Sequence, residues 1–256
     1  MTTTEPSLSD ISALLPFLTA AERAEVNALL SRGPVWVPLP GPQTQAFESD
    51  ADVIGYGGAA GGGKTDLAVG LALTSHTISA IFRREATQLT SVIERLAELV
   101  GSRDGYNGSE RIWRLGGGRR IEFGSVPNAG DEARYQGRAK DLLVLDEATN
   151  FLESQVRFLM GWVRTTRPGQ HCQTLMTFNP PTSADGQWVI AYFAPWLDKT
   201  HPNPAAPGEL RWFATIDGRD VEVESGEPFG HEGETITPQS RTFIPSRVTD
   251  NLFLAG

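Results

Sequence analysis

Cysteine is almost absent from this chain of 256 residues, because Cys172 is its single example. One cysteine excludes an internal disulfide and argues for a reducing compartment. Long hydrophobic runs are absent as well, since no apolar stretch approaches the ~20 residues that span a bilayer. The opening residues MTTTE also lack the basic region and apolar core of a signal peptide. These absences predict a soluble, intracellular protein that does not use a membrane.

Positive charge is in deficit, because 22 Lys and Arg residues face 31 Asp and Glu residues, for a net charge of −9. A protein that grips nucleic acid is more often basic, so this balance counts against a tight, static DNA contact. It leaves open a ring or a transient contact that concentrates positive charge locally. The composition is otherwise that of a globular protein with one large domain, or one domain with appendages.

Glycine, by contrast, is concentrated in one stretch. Residues 57–65 read GGAAGGGKT and, from Gly58, fit the phosphate-loop pattern G-x-x-x-x-G-K-[ST]. An apolar strand (52–56) precedes the loop and a helix with an apolar stripe (66–73) follows it. The glycines let backbone N–H groups point inward as an anion nest, and the helix adds its positive dipole end. The predicted nucleotide-binding residues here are Gly58, Ala59, Ala60, Gly61, Gly62, Gly63, Lys64, Thr65 and Asp66.

Two residues of this loop have individual roles in the prediction. Lys64 would reach the β- and γ-phosphates and act in catalysis, and the Thr65 hydroxyl would ligate Mg²⁺.

The run DLLVLDE at 141–147 is continuously apolar and ends in two acids. This pattern is typical of a central parallel strand, whose carboxyl end lies at the ligand-binding edge of the sheet. Asp146 would hold Mg²⁺, and Glu147 would orient and polarise the attacking water. The simpler alternative is an acid pair that caps a helix.

Polar residues end the next buried strand, predicted over 174–178. Thr177 and Asn179 match the strand end that, in many motor ATPases, senses the γ-phosphate and couples hydrolysis to movement. A structural turn before Pro180 and Pro181 is the alternative.

An arginine usually neutralises the charge that develops on the transferred phosphoryl group. Arg138, with Arg134 second, precedes the acidic strand, whereas Arg83 and Arg84 end the strand predicted over 78–82. For each of the four, a solvated surface charge is the alternative. Because a strand's length separates Arg138 from Asp146, we expect Arg138 to act on a neighbouring subunit's nucleotide.

Gln43 lies shortly before the phosphate loop. Its amide can donate and accept at once and so could read the N6 and N7 edge of adenine. A solvated glutamine at a helix start is the alternative.

The remaining pattern predicts an arm, a domain and a linker. Residues 1–34 form a helical arm with a capping box at Thr19–Glu22, residues 35–245 the main domain, and residues 246–256 a linker. Helices are predicted over 86–100, 154–164 and 187–197, hairpins over 111–124 and 211–224, a surface loop over 225–238 and a last strand over 242–245.

In combination and in order, these motifs resemble the large terminase subunit of tailed bacteriophages, the motor that pumps DNA into procapsids. The motifs are PQTQAF with Gln43, the loop at 56–65, YQGR at 135–138, LVLDEAT at 143–149 and TFNPP at 177–181. The resemblance covers most of residues 35–256. It implies an α/β fold, a P-loop NTPase of the additional-strand, conserved-glutamate type, with a mainly parallel central sheet flanked by helices and added β-hairpins.

The resemblance also implies partners and cofactors. These are ATP, Mg²⁺, double-stranded DNA, a portal protein, a small terminase subunit and a homo-oligomeric ring, usually of five subunits. The expected location is the cytoplasm of the infected bacterial host, transiently at the procapsid portal.

The second half of such proteins is a ribonuclease-H-like nuclease with a metal-binding acid cluster. Residues 247–254 look like the linker towards that domain, and we find no metal-spaced acid cluster beyond Asp146 and Glu147. We therefore expect the ATPase half alone, from a truncated chain or a split gene, without nuclease activity. The alternatives are a helicase or other nucleic-acid-dependent ATPase, and a kinase or regulatory nucleotide switch.

Overall fold

The structure, a computed structural model, describes residues 18, 19, 22, 34–58 and 61–250. The chain divides into two compact units, residues 1–35 and 36–256. In the first unit, the Glu22 carboxylate accepts from the Thr19 N–H at 2.7 Å, and Thr19 Oγ1 accepts from the Glu22 N–H at 3.3 Å. This confirms the predicted capping box. The rest of the expected arm up to residue 33, and residues 251–256 of the expected linker, lie outside the described residues.

The described part of the second unit is built from twelve strands and six α-helices. The strands are β1 (Val53–Gly58), β2 (Ile78–Arg83), β3 (Tyr106–Asn107), β4 (Ile112–Arg114), β5 (Arg120–Ser125), β6 (Leu142–Asp146), β7 (Gln173–Phe178), β8 (Arg211–Ile216), β9 (Arg219–Val223), β10 (Phe229–His231), β11 (Glu234–Ile236) and β12 (Gln239–Ser246). The helices are α1 (Pro42–Phe47), α2 (Lys64–Thr74), α3 (Leu89–Val100), α4 (Glu153–Met160), α5 (Trp188–Tyr192) and α6 (Ala194–Leu197). None of the described helices is long and apolar enough to cross a membrane.

Ten of these strands form one sheet, in the order β3-β4-β5-β2-β6-β7-β1-β12-β8-β9. The six central strands, from β5 to β12 in that order, run parallel. Antiparallel additions extend both edges, β3 and β4 on one side and β8 and β9 on the other. The prediction of a mainly parallel sheet with hairpins added at its edges is confirmed.

The sheet separates two hydrophobic cores, and β6 contributes to both because successive side chains of a strand point to opposite faces. Leu142 and Val144 belong to the cluster that contains the apolar residues of α2 and α3. Leu143 and Leu145 belong to the cluster that contains those of α4 and α5. Burial on both faces explains why the run at 142–145 is continuously apolar.

Two predicted helices are shorter or broken. The helix expected to reach residue 164 ends at Met160, because the chain then runs beside the start of β6. There the Lys140 N–H donates to the Trp162 carbonyl at 3.1 Å and the Arg164 N–H donates to the Lys140 carbonyl at 2.8 Å. The helix expected over 187–197 splits into α5 and α6, and Pro195 occupies the first turn of α6, where its missing N–H costs no hydrogen bond.

The surface loop expected over 225–238 is wrong in part, because β10 and β11 pair there as a separate antiparallel hairpin. Glu232 and Gly233 form its turn, with φ values of 48° and 87°. Two successive positive φ values are typical of the type I′ turn that closes two-residue hairpins.

Candidate functional site

The glycine-rich loop leaves the carboxyl end of β1 and leads into α2. Ala59 and Ala60 lie outside the described residues, so their predicted contacts are not described. Gly57 has a φ of 156°, and a Cβ there would collide with the carbonyl oxygen of Phe178. Gly63 has a φ of 73° and caps α2, so the backbone enters the helix from the left-handed region that glycine tolerates best.

Two buried side chains, Tyr56 and Gln43, donate hydrogen bonds to backbone carbonyls of this loop. The Tyr56 hydroxyl donates to the Gly62 carbonyl at 2.9 Å, and burial raises the pKa of Tyr56 to about 12. Gln43 Nε2 donates to the Gly63 carbonyl at 3.0 Å, while its Oε1 accepts from the Leu39 N–H at 2.6 Å. Both ends of the Gln43 amide are therefore used within the chain, and reading of adenine by Gln43 stays a prediction. Tyr56 belongs to the motif at 56–65, but the sequence assigned it no role of its own, because the phosphate-loop pattern specifies only the glycines, Lys64 and Thr65.

Lys64 begins α2 and lies close to the strand ends. Its Nζ donates to Asn179 Oδ1 at 2.8 Å, across 115 residues of sequence. Burial lowers the pKa of Lys64, and the charges of Asp146 and Glu147 oppose that shift. The structure thus brings together the predicted phosphate-binding lysine, the predicted acids and the predicted sensor asparagine.

Asp146 ends β6 and is almost completely buried. Its Oδ2 lies 3.4 Å from Thr65 Oγ1 and accepts from Arg83 Nε and Nη2 at 2.8 and 2.6 Å. Its Oδ1 accepts from the hydroxyl of Thr177, one strand away. The carboxylate therefore has hydrogen-bond donors on both oxygens, as a buried charge requires.

Glu147 leaves the strand with a φ of 62°, an uncommon conformation for a residue with a Cβ. Its backbone N–H donates to Thr177 Oγ1 at 3.3 Å, and its carboxylate accepts from Asn150 Nδ2 at 3.0 Å. Thr177 thus contacts both acids, which supports its predicted place in the site.

Of the four candidate arginines, only Arg83 contacts this cluster in the described residues. Arg84 instead donates to Gln155 Oε1 at 2.7 Å. Arg138 pairs with Glu122 and lies over the Tyr135 ring, with its side chain 48% exposed. Arg134 pairs with Asp131 at 3.3 Å. Arg138 and Arg134 therefore do not join Asp146 within one chain, and action on a neighbour stays a prediction.

A cavity of about 400 Å³ opens over the loop, lined by Gly61, Gly62, Gly63, Lys64, Thr65, Asp66, Ser91 and Arg95. The Asp66 carboxylate accepts from Trp36 Nε1 at 2.9 Å and from Arg95 Nε at 2.6 Å. Because both carboxylate oxygens of Asp66 are paired, its predicted contact with nucleotide would be made by its backbone. Ser91 and Arg95, on α3, were not singled out from the sequence because no motif includes them.

A larger cavity, of about 480 Å³, lies at the opposite ends of β2 and β6 and is lined by Ile78, Ala139, Lys140, Asp141, Arg164, Thr165, Thr166 and Arg167. It holds none of the predicted site residues. We assign the site to the loop cavity because Lys64 and Thr65 line it and Asp146 Oδ2 lies 3.4 Å from Thr65 Oγ1. Among the described residues, Asp217, His231 and Glu232 also bring one potential ligand atom each within 4.8 Å of the others, a grouping that the sequence did not predict.

The described fold is a mixed α/β fold with a large, mostly parallel sheet and a glycine loop beside an acidic strand end. No protein-family model matches the chain, and no curated protein matches it. Solved structures do match. The chain is similar to the large terminase of a thermophilic bacteriophage, with a TM-score of 0.53 and 13% identity over 84% of this chain and 47% of that chain.

Two further structures are similar over less of the fold. They are the large terminase of bacteriophage HK97 (TM-score 0.40, 13% identity, 61% of this chain and 35% of that chain) and the N-terminal domain of the DNA packaging ATPase from bacteriophage phi29 (TM-score 0.39, 14% identity, 73% of this chain and 96% of that chain). The comparison with the thermophilic phage's terminase confirms, at the level of the fold, the resemblance to large terminases that the motifs indicated. This chain spans about half the length of that terminase (47%).

Proposed function

We propose that this chain is the ATPase domain of a large terminase subunit and hydrolyses ATP to ADP and phosphate. The observation that supports this is the convergence of Lys64, Thr65, Asp146 and Glu147 at one edge of the sheet. The fold shared with the large terminase of the thermophilic phage is consistent with the same proposal.

The residues present fit a nucleotide with its magnesium ion. Thr65 Oγ1 and Asp146 Oδ2 lie 3.4 Å apart, and two adjacent ligands of one octahedral Mg²⁺ lie about 3 Å apart. Lys64 and the N-terminus of α2 supply positive charge for the phosphates. When bound, the ion neutralises charge that develops on the phosphate oxygens.

Glu147, Asn179 and Thr177 have the remaining roles. Glu147 accepts a hydrogen bond from a water and orients it towards the terminal phosphate, and its carboxylate takes the proton. Asn179 accepts a hydrogen bond from the Lys64 ammonium at 2.8 Å. When Lys64 binds the terminal phosphate, this hydrogen bond changes, and Asn179 passes the change to the end of β7. Thr177 fixes the acids relative to that strand.

The same proposal covers the assembly that the resemblance implies. The domain acts in a homo-oligomeric ring on the portal protein, with a small terminase subunit as partner, and moves double-stranded DNA into a procapsid in the host cytoplasm. Arg138, exposed at the surface, is the group offered to a neighbouring subunit.

The test compares three variants in ATP binding and turnover. Lys64→Ala should weaken ATP binding, because a phosphate partner is lost. Glu147→Gln should keep binding and lose turnover, because only the water-activating carboxylate is removed. Glu153→Gln, at a side chain that is 42% exposed and pairs with Arg157, is the matched control and should behave as wild type.

Wild-type turnover in Glu147→Gln would contradict the assignment. Stimulation of turnover by duplex DNA separates a motor from a nucleotide switch, and unwinding of a forked duplex would point to a helicase instead.

A further inference from the structure

Arg83 lies where it can control access to the two oxygens assigned to the metal. Its side chain is 14% exposed and its guanidinium uses all three nitrogens. Nε and Nη2 donate to Asp146 Oδ2 at 2.8 and 2.6 Å, Nη2 also lies 3.4 Å from Thr65 Oγ1, and Nη1 donates to the Gln88 carbonyl at 3.2 Å.

These contacts compete with metal binding for the same lone pairs. Thr65 and Asp146 would hold Mg²⁺ through these same oxygens, since Mg²⁺ takes oxygen ligands. The Arg83 guanidinium already faces both of them, on a carboxylate whose other oxygen accepts from Thr177. Two cations in one small, buried space also repel each other strongly, because the local dielectric is low.

We propose that Arg83 is a positioning residue that closes the magnesium position and must release Asp146 before the metal–nucleotide complex can bind. This rests on the proposed function. The released guanidinium stays close to the Gln88 carbonyl, to which its Nη1 donates at 3.2 Å.

The contact with Gln88 links the release of Arg83 to a neighbouring helix. Gln88 immediately precedes α3, and Arg95 of α3 bonds the Asp66 carboxylate, one residue after Thr65. Movement of Arg83 is therefore transmitted to the start of a helix that also lines the nucleotide cavity.

The experiment measures metal affinity rather than turnover. Binding of fluorescent ADP to wild type, Arg83→Gln and Arg84→Gln is measured as the Mg²⁺ concentration is raised. Loss of a charge-assisted hydrogen-bond pair that competes with the metal should lower the Mg²⁺ concentration for half-maximal binding by about tenfold or more in Arg83→Gln. Arg84→Gln, whose arginine bonds Gln155 instead of Asp146, should keep the wild-type midpoint.

Arg83→Lys serves if the glutamine variant folds poorly, because one ammonium replaces a two-pronged contact. Its midpoint should lie between those of wild type and Arg83→Gln. An unchanged midpoint in both Arg83 variants would overturn the proposal.

A second measurement keeps this test independent of ATPase activity. Binding of Mn²⁺ without nucleotide, followed by the electron paramagnetic resonance of the unbound ion, should be tighter in Arg83→Gln than in wild type. Adding Asp146→Asn to Arg83→Gln should abolish the gain. If ADP does not bind to wild type, the proposed function fails, but the Mn²⁺ titration still tests the role of Arg83. Equal Mn²⁺ affinity in wild type and Arg83→Gln would overturn that role.

Discussion

Replacing Thr177 by valine isolates the hydroxyl that joins the two acids of the site. Thr177 lies in the middle of the sheet on β7 and is completely buried. Its Oγ1 donates to Asp146 Oδ1 and accepts from the Glu147 N–H at 3.3 Å. Valine keeps the β-branched shape, so the change removes one donor and one acceptor with little change in packing.

The expected loss of stability follows from these two contacts. A hydrogen bond to a charged group contributes about 1.5–3 kcal/mol, and a buried N–H left without an acceptor costs about 1–3 kcal/mol. Asp146 keeps its ion pair with Arg83, so its charge is not left unpaired. Because the two terms share one hydroxyl and do not add fully, we expect Thr177→Val to lose about 2–4 kcal/mol of unfolding free energy.

Thr242→Val is the matched control on another strand of the same sheet. Thr242, on β12, is also completely buried, but in the described part of the chain its Oγ1 has no hydrogen-bond partner. Valine there leaves nothing unpaired and removes a buried polar group, so the variant should be neutral or more stable than wild type.

Urea denaturation of the two variants and of Thr177→Ser provides the assay. Serine keeps the hydroxyl and should recover most of the stability that valine loses. ATP turnover should fall in Thr177→Val and be largely kept in Thr177→Ser, because only valine removes the hydroxyl that accepts from the Glu147 N–H. Equal losses in Thr177→Val and Thr242→Val, within about 0.5 kcal/mol, would refute the reasoning.

Three further outcomes are expected. Burial lowers the pKa of Lys140 to about 8, so the unfolded chain binds this proton more tightly between pH 8 and 10.5 and wild-type stability rises over that range. In urea denaturation, Lys140→Met should therefore be more stable than wild type at about pH 7, by up to about 3 kcal/mol, and this difference should shrink towards about pH 10.5. Gln43→Ala should weaken ATP and GTP binding alike, about three- to tenfold, because the amide braces Gly63, whereas a loss confined to ATP would show that Gln43 reads adenine. Arg138→Ala should lower turnover ~10³-fold if it serves a neighbour's nucleotide, and mixing it with Glu147→Gln subunits should restore part of the activity; no recovery in rings that demonstrably mix would remove Arg138 from the site.

The site residues that could be predicted from sequence lie at the carboxyl ends of strands. Continuous hydrophobicity marks β6 as a strand buried on both faces, and β7 is buried along its whole length although Gln and Thr residues interrupt its apolar run. Parallel strands bring their carboxyl ends to one edge, so Asp146, Thr177 and the loop after β1 had to lie near one another. The contact between Lys64 and Asn179 is of the same kind.

The contacts that could not be predicted join residues with no shared pattern. Arg83 and Arg84 are adjacent and chemically identical, yet one pairs with Asp146 and the other with Gln155, because successive residues leave a strand end in opposite directions. The β10–β11 hairpin was missed for a different reason. Its strands are three residues long and mostly polar, so they carry too little alternation to be distinguished from a loop.

Glu147 shows how a local rule fails at the site itself. A regular strand would carry Asp146 and Glu147 to opposite faces of the sheet, and only one of them could then lie near Lys64. The structure has Glu147 in the left-handed region, with a φ of 62°, and the charges of both acids act on Lys64. Such a backbone costs on the order of 1–3 kcal/mol in a residue other than glycine and persists only where its surroundings fix it. Thr177 and Asn150 supply that fixation, one at the backbone N–H and one at the carboxylate. Both acids thus lie near Lys64 because the backbone departs from the strand conformation at Glu147, which the residue types alone do not reveal.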